Sequence, residues 1–263
     1  MKIPLIKPFI TEEIKAKVCE VLDSGYLTEG PVTRQLEESI KDYTGCQYAL
    51  AVCNCTVGLE MALRALGIGP GDEVIVPDYT YPATASVVNI VGAKIVIVDV
   101  DPTNMLIDYE AVEKAITNKT QAIIPVSIFG NPLDYSRLWE IKKKYNLYLV
   151  EDAACALGAQ YDGKFAGNLA DISVFSFHPR KFITTGEGGM VTTRDPELDA
   201  RCRRWRNHSR MAAAGEGAFV YEDLGFNFRM SDIHGAVGRE QLARLESALA
   251  RRRGQAARYR ELL

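Results

Sequence analysis

Only three histidines occur in the 263 residues, and the six cysteines form no CxxC pair. Cys53 and Cys55 stand two apart, on one face if the segment is extended, while His178, His208 and His234 are scattered. Neither a zinc site nor a disulfide framework is expected, and the thiols read as reduced. Charge of one sign is also lacking. Thirty-one Lys plus Arg against 34 Asp plus Glu leave a formal net charge of -3, which supplies no basic field for nucleic acid or an anionic membrane surface. Long apolar runs are missing too. The longest, such as KIVIVDV and QAIIPVSIF, have strand length and are broken by charge or proline, and the amino terminus carries no apolar signal core. A cytoplasmic protein with no metal, membrane or nucleic-acid partner is expected.

What is present is an alternation. With 47% hydrophobic and 25% charged residues, the chain can bury one large core, or one domain and part of another. TEEIKAKVCEVLDSG has a threonine cap and helical spacing; QYALAVC reads as a strand running through a polar turn into the helix TVGLEMALRALGIG. Strands at PGDEVIVPD, AKIVIVDVD, TQAIIPVSI and LYLVEDAA then alternate with helical segments at TYPATASVVNIVG, DYEAVEKAI and DYSRLWEIKKKYN. Strands separated by helices of this length require right-handed crossovers and a mostly parallel sheet covered on both faces. The expected class is α/β, doubly wound.

Ligands in such sheets gather beyond the carboxyl ends of the strands, so the residues there carry the functional reading. Asp152 follows the apolar run LYLVE, and two uses stay open: an N-cap for AACAL, or a carboxylate that keeps a pyridinium nitrogen protonated. Asn54-Cys55-Thr56 ends a strand and starts a helix, where free N–H groups and the helix dipole suit a phosphate; ordinary capping explains the same residues. Tyr81 follows a third strand and either stacks on a planar group or packs as a half-buried tyrosine. Lys181, in SFHPRKFITTGEGGM, sits at a strand end among Pro179, Arg180 and Phe182. A lysine desolvated there becomes a neutral nucleophile, and a Schiff base with an aldehyde is its natural use.

Five motifs in order, NCT, TYPATA, VEDAA, SFHPRK with GEGGM, and LGFNFRMSD, resemble the DegT/DnrJ/EryC1/StrS family of pyridoxal-phosphate sugar aminotransferases and cover nearly the whole chain. The resemblance implies an aspartate-aminotransferase-like large domain of fold type I. It implies that Lys181 tethers pyridoxal 5'-phosphate and later moves the substrate proton, and that Asp152 pairs with the pyridine nitrogen. Tyr81 would stack on the ring. Thr56, the backbone of Cys55 and the hydroxyl of Ser176 would cradle the phosphate, and Asn227 would reach the partner's site in a homodimer. Cys155 stands where histidine or glutamine is usual near the cofactor's phenolic oxygen, and a thiol is a weaker hydrogen-bond partner. Cys55 and Ser209 stand where glycine is common, adding bulk at turns.

The implied reaction runs in two halves. An amino acid, expected to be glutamate, converts the cofactor to pyridoxamine 5'-phosphate, which aminates a keto-deoxysugar carried on a nucleotide diphosphate, a step of amino-sugar and polysaccharide biosynthesis. A dehydratase of the same family would replace the lysine with histidine, whereas Lys181 is present; a non-catalytic, regulatory or dimerising member is the other alternative. ARCRRWRNHSR either faces an anionic nucleotide or forms a solvated helical face. HGAVGREQLARLESALARRRGQAARYRELL reads as one long helix. The expected organisation is a large domain over 1–232, with 233–263 a helix leading toward a smaller carboxyl-terminal domain that is truncated or absent.

Overall fold

The computed structural model describes residues 6–212, 219–221 and 223–263. The helices are α1 (Glu12–Ser24), α2 (Pro31–Thr44), α3 (Cys55–Ala65), α4 (Ala83–Ile90), α5 (Tyr109–Ala115), α6 (Tyr135–Tyr145), α7 (Pro196–Arg206), α8 (Asp232–Leu242) and α9 (Leu245–Leu262). The strands are β1 (Tyr48–Val52), β2 (Glu73–Pro77), β3 (Lys94–Val98), β4 (Thr120–Ile123), β5 (Tyr148–Asp152), β6 (Gln160–Tyr161), β7 (Lys164–Phe165), β8 (Ile172–Ser176), β9 (Gly189–Thr193), β10 (Arg210–Ala212) and β11 (Phe219–Tyr221). Local chemistry starts most helices where a side chain can take up an orphan N–H: Thr11, Asn54, Asp108, Asp134, Asp195 and Ser231 each accept from the first turn they precede.

Seven strands form one sheet in the order β1-β9-β8-β5-β4-β2-β3. The pairs from β3 through β8 are parallel, whereas β9 is antiparallel to both of its neighbours. Both faces are apolar because strand residues alternate sides. Leu50, Val74, Val76, Val150 and Val174 point into a core under α3, α4 and α7. Ile75, Ile123 and Leu149 point the other way, under α5 and α6, while Ala49, Ala51 and Phe175 lie under α2 and α8. A doubly wound, mostly parallel sheet follows, as the alternation predicted.

The carboxyl-terminal segment differs from the expectation of one helix. It is two, α8 and α9, broken at Arg244, whose φ of -105 and ψ of 2 leave the helical range. Neither proline nor glycine marks the break; packing sets it. Arg244 lies over the ring of Phe9, with 4.3 Å to the centroid, and Glu246 accepts from Tyr43 Oη at 2.6 Å. A boundary at 232/233 also cuts the first turn of α8, which packs on α1 and α2. Asp232 itself accepts from the N–H groups of Gly30, Val32 and Thr33 and from the Thr33 hydroxyl, capping α2, whose own N-cap residue, Gly30, has no side chain to do so. α8 is thus packed against α1 and α2 and tied to the start of α2 through Asp232.

The basic stretch of α7 is not a free field. Arg206 is buried and pairs with Glu37 and Glu29, and Arg203 pairs with Asp199 and Glu37. Those guanidiniums tie α7 to α2 and to β1, where they also donate to the carbonyls of Ala49 and Ala51.

Candidate active site

Beyond the carboxyl ends of β5 and β8, the sheet's topology collects several polar side chains. Asp152 ends β5 and is 4% exposed. Its Oδ2 accepts from Thr84 Oγ1 at 2.8 Å and its Oδ1 from the N–H of Ala154 at 3.1 Å. Thr84, buried in the first turn of α4, is linked in turn to Thr80 Oγ1 at 2.9 Å. No helix follows β5; residues 153–159 are turns, so the capping use of Asp152 is not realised. Burial pushes the Asp152 carboxyl above its ordinary value, opposed by the Thr84 hydroxyl, the Ala154 N–H and the charge of Lys181.

Lys181 lies in the turn between β8 and β9. That turn is closed by Phe177 N–H donating to the Gly188 carbonyl at 2.9 Å, and by Thr185 N–H and Thr184 Oγ1 donating back to the Phe177 carbonyl. The half-buried Lys181 directs its Nζ to Cys155 Sγ at 3.2 Å. Cys155 is exposed, while desolvation pushes the half-buried Cys55 thiol well above its ordinary pKa, with Asp152 adding to the rise and Lys181 opposing it. All six cysteines are free.

The start of α3 forms the third side. Asn54 Oδ1 accepts from Val57 N–H at 3.0 Å, which leaves the Cys55 and Thr56 amides pointing out of the helix end. Gly189, paired with Ser176, lets β9 approach this end: a Cβ at 189 would stand 2.8 Å from the Asn54 carbonyl carbon, 2.9 Å from the Cys55 nitrogen and 2.9 Å from the Phe175 oxygen. Ser176 Oγ accepts a 3.4 Å bond from His178 N–H, and among the described residues its own proton has no acceptor. Tyr81 is 76% exposed, one turn ahead of Thr84 and bonded to it through the backbone.

Asn227 is not drawn into this group. It is exposed, accepts from Arg229 Nε at 2.9 Å, and lies on an irregular stretch whose neighbour Phe228 accepts from Cys53 N–H. Sequence reasoning missed Thr84, although it lies within the motif TYPATA, because a hydroxyl in an apolar helix carries no signal until the fold sets it against Asp152. Among the described residues, no cluster of three or more His, Cys, Asp or Glu is placed to hold a metal, and no helix is long and apolar enough to cross a membrane.

The donor set suits pyridoxal phosphate: helix-end amides and hydroxyls for a phosphate dianion, a buried carboxylate short of a cation for a pyridinium, and an amine for the aldehyde. The comparisons with known proteins agree. The family model "DegT/DnrJ/EryC1/StrS aminotransferase family" matches residues 8–263. A Shewanella sediminis UDP-4-amino-4-deoxy-L-arabinose–oxoglutarate aminotransferase is 39% identical over 272 residues, covering 99% of this chain and 69% of that protein. A Streptococcus pneumoniae protein assigned as a sugar aminotransferase, solved with pyridoxamine phosphate, superposes with a TM-score of 0.93 at 36% identity, covering 98% of this chain and 71% of that one; its pyridoxal-phosphate form gives the same score. The aminotransferase TlmJ from Streptoalloteichus hindustanus gives 0.94 at 34% identity, covering 99% and 71%. The chain belongs to the DegT/DnrJ/EryC1/StrS family of pyridoxal-phosphate-dependent sugar aminotransferases.

Proposed function

We propose that this chain transfers an amino group from an amino acid, expected to be glutamate, to a keto-deoxysugar on a nucleotide diphosphate, with Lys181 as tether and proton carrier. The observation that carries the residue assignment is the buried carboxylate of Asp152, held by Thr84 and Ala154 and under the charge of Lys181. Bound pyridoxal phosphate supplies an electron sink for the negative charge that develops at the amine-bearing carbon.

Asp152 opposes the pyridine nitrogen and keeps it protonated; its fixed geometry means no reorganisation is needed as charge develops. Lys181 Nζ, on a hairpin turn closed by three bonds at Phe177, would hold the cofactor and carry the proton released at the substrate's amine-bearing carbon. The amides of Cys55 and Thr56, with the hydroxyls of Thr56 and Ser176, hold the phosphate. Tyr81 covers the ring, and Cys155 lies beside the reacting amine. Asn227, exposed, bridged to Asn207 and bonded to Arg229, reaches across a homodimer into the partner's site. The relatives' names support the sugar class of the acceptor. The large unit binds the cofactor, and the reaction takes place in the cytoplasm.

Borohydride reduction of the cofactor-loaded protein tests the tether: it should fix the cofactor on the peptide that contains Lys181, and Lys181→Ala should abolish that adduct. An unchanged adduct in the variant sinks the assignment. Adding glutamate to the loaded protein should convert its visible band to that of the pyridoxamine form; a band that stays constant favours the non-catalytic alternative.

A further inference from the structure

The contact between Lys181 and Cys155 has chemistry of its own. The amine stands 3.2 Å from a sulfur that is open to solvent. The second thiol nearby, Cys55, donates to the Val174 carbonyl at 3.8 Å, and its thiol form is strongly favoured by desolvation. A small oxidant therefore meets Cys155 first. Once oxidised to a sulfenic acid, a cysteine condenses with a nitrogen or a thiol that lies within bonding reach. Here the group in reach is Lys181 Nζ.

We infer that Cys155 is an oxidation site whose sulfenic acid is captured by Lys181 as a sulfur–nitrogen cross-link, with hydrogen peroxide as the oxidant. In the first step Cys155 Sγ attacks one peroxide oxygen and the O–O bond breaks. The sulfur is oxidised by two electrons to S–OH, and the other oxygen leaves as water with the thiol proton. In the second step Nζ, after releasing its ammonium proton to solvent, attacks the same sulfur. The S–N bond forms, the S–O bond breaks, and the departing hydroxide leaves as water with a proton from nitrogen. One peroxide becomes two waters, and the protein loses two hydrogens. A small thiol reverses the link by attacking the sulfur and releasing the amine; a second thiol then reduces the mixed disulfide.

The cross-link occupies the amine proposed above as the cofactor's tether, so an oxidised chain cannot be loaded until thiol restores it, and a loaded chain is protected. That consequence rests on the proposed role of Lys181, whereas the bond itself rests only on the Cys155–Lys181 contact.

The test treats the full chain with hydrogen peroxide, both loaded with cofactor and after stripping with hydroxylamine, and reads the peptides carrying residues 155 and 181 by mass spectrometry. In stripped protein the expected product is a joined peptide pair lighter than the sum by two hydrogens, lost on dithiothreitol treatment and absent from Cys155→Ser and from Lys181→Arg. Sulfinic acid at Cys155 with Lys181 unmodified, a Cys55–Cys155 disulfide, a link heavier by one oxygen, or no reaction at Cys155 would each overturn the inference. Equal cross-linking of loaded and stripped protein would leave the bond standing and overturn the tether.

Discussion

Thr84 Oγ1 donates to Asp152 Oδ2 at 2.8 Å, and both side chains are buried. The hydroxyl is one of three groups that hold down a carboxyl pushed up by burial. Thr84→Val keeps the shape and removes the donor, so the carboxyl pKa rises further. A hydrogen bond to a charged group contributes about 1.5–3 kcal/mol. Cofactor affinity should fall by roughly tenfold or more, as read by spectral titration with pyridoxal phosphate; unchanged affinity would separate Thr84 from the site.

Asp152→Asn has opposite effects on the two forms. A carboxyl whose folded pKa exceeds its unfolded one binds its proton more tightly in the native state. The cofactor-free protein therefore loses stability as pH rises above the ordinary value of 3.8 and through the raised pKa, beyond which the loss is complete. Asn removes that dependence, so the stripped variant should melt higher than the stripped parent at neutral pH, the gap closing as pH falls. The loaded variant should run its half-reaction slower by on the order of 10²-fold. A stripped variant less stable than its parent at every pH would contradict the buried-charge account.

Gly189→Ala places a methyl within 2.9 Å of the backbone at Asn54, Cys55 and Phe175. Backbone cannot yield as a flexible side chain would. The strain should lower stability by about 1–3 kcal/mol in denaturant unfolding, and the shifted α3 start should weaken pyridoxal phosphate more than it weakens pyridoxal lacking the phosphate.

Glu37 and Arg206 form a buried pair at 2.9 Å, and Glu37 Oε1 also accepts from Ala51 N–H. Arg206→Ala leaves the buried Glu37 with only the longer 3.5 Å contact to Arg203 and takes the partner from Glu29, and should destabilise by about 3–5 kcal/mol. The double variant Glu37→Gln/Arg206→Met removes both charges and should lose less than the single variant, as measured by chemical denaturation.

Ser209 is buried at φ 53, a left-handed conformation that favours glycine. Ser209→Gly should stabilise the chain by about 1 kcal/mol, raising the thermal midpoint; a lower midpoint would show that the serine side chain packs favourably enough to offset its backbone strain.

Element order was legible in the residues because it depends on local chemistry. Short continuous apolar runs marked β1 and β5, and Thr11 and Asn54 marked helix starts. The convergence of Asp152 and Lys181 was legible only through their places at strand ends, which a doubly wound sheet brings together. The break between α8 and α9 was not legible, since Leu242, Ala243, Arg244 and Leu245 all favour helix and the interruption comes from packing on Phe9 and Tyr43. Nor was the fate of the arginines of α7. Their spacing is that of a solvated face, and only the approach of α2 supplies Glu37 to pair with Arg203 and with the buried Arg206.

By itself, then, the sequence determined the alternation of β1 to β5 with α3 to α6 and the α/β class, and offered side chains chemically suited to a phosphate, a pyridinium and an aldehyde, because propensity, periodicity and functional-group chemistry act over a few residues. Tertiary structure alone decided that β9 runs antiparallel beside β1, that Asp232 caps a helix 200 residues earlier, that Thr84 tunes Asp152, and that the Lys181 amine meets the Cys155 sulfur. Each of these joins groups distant along the chain, and no local pattern encodes a distance that only packing sets.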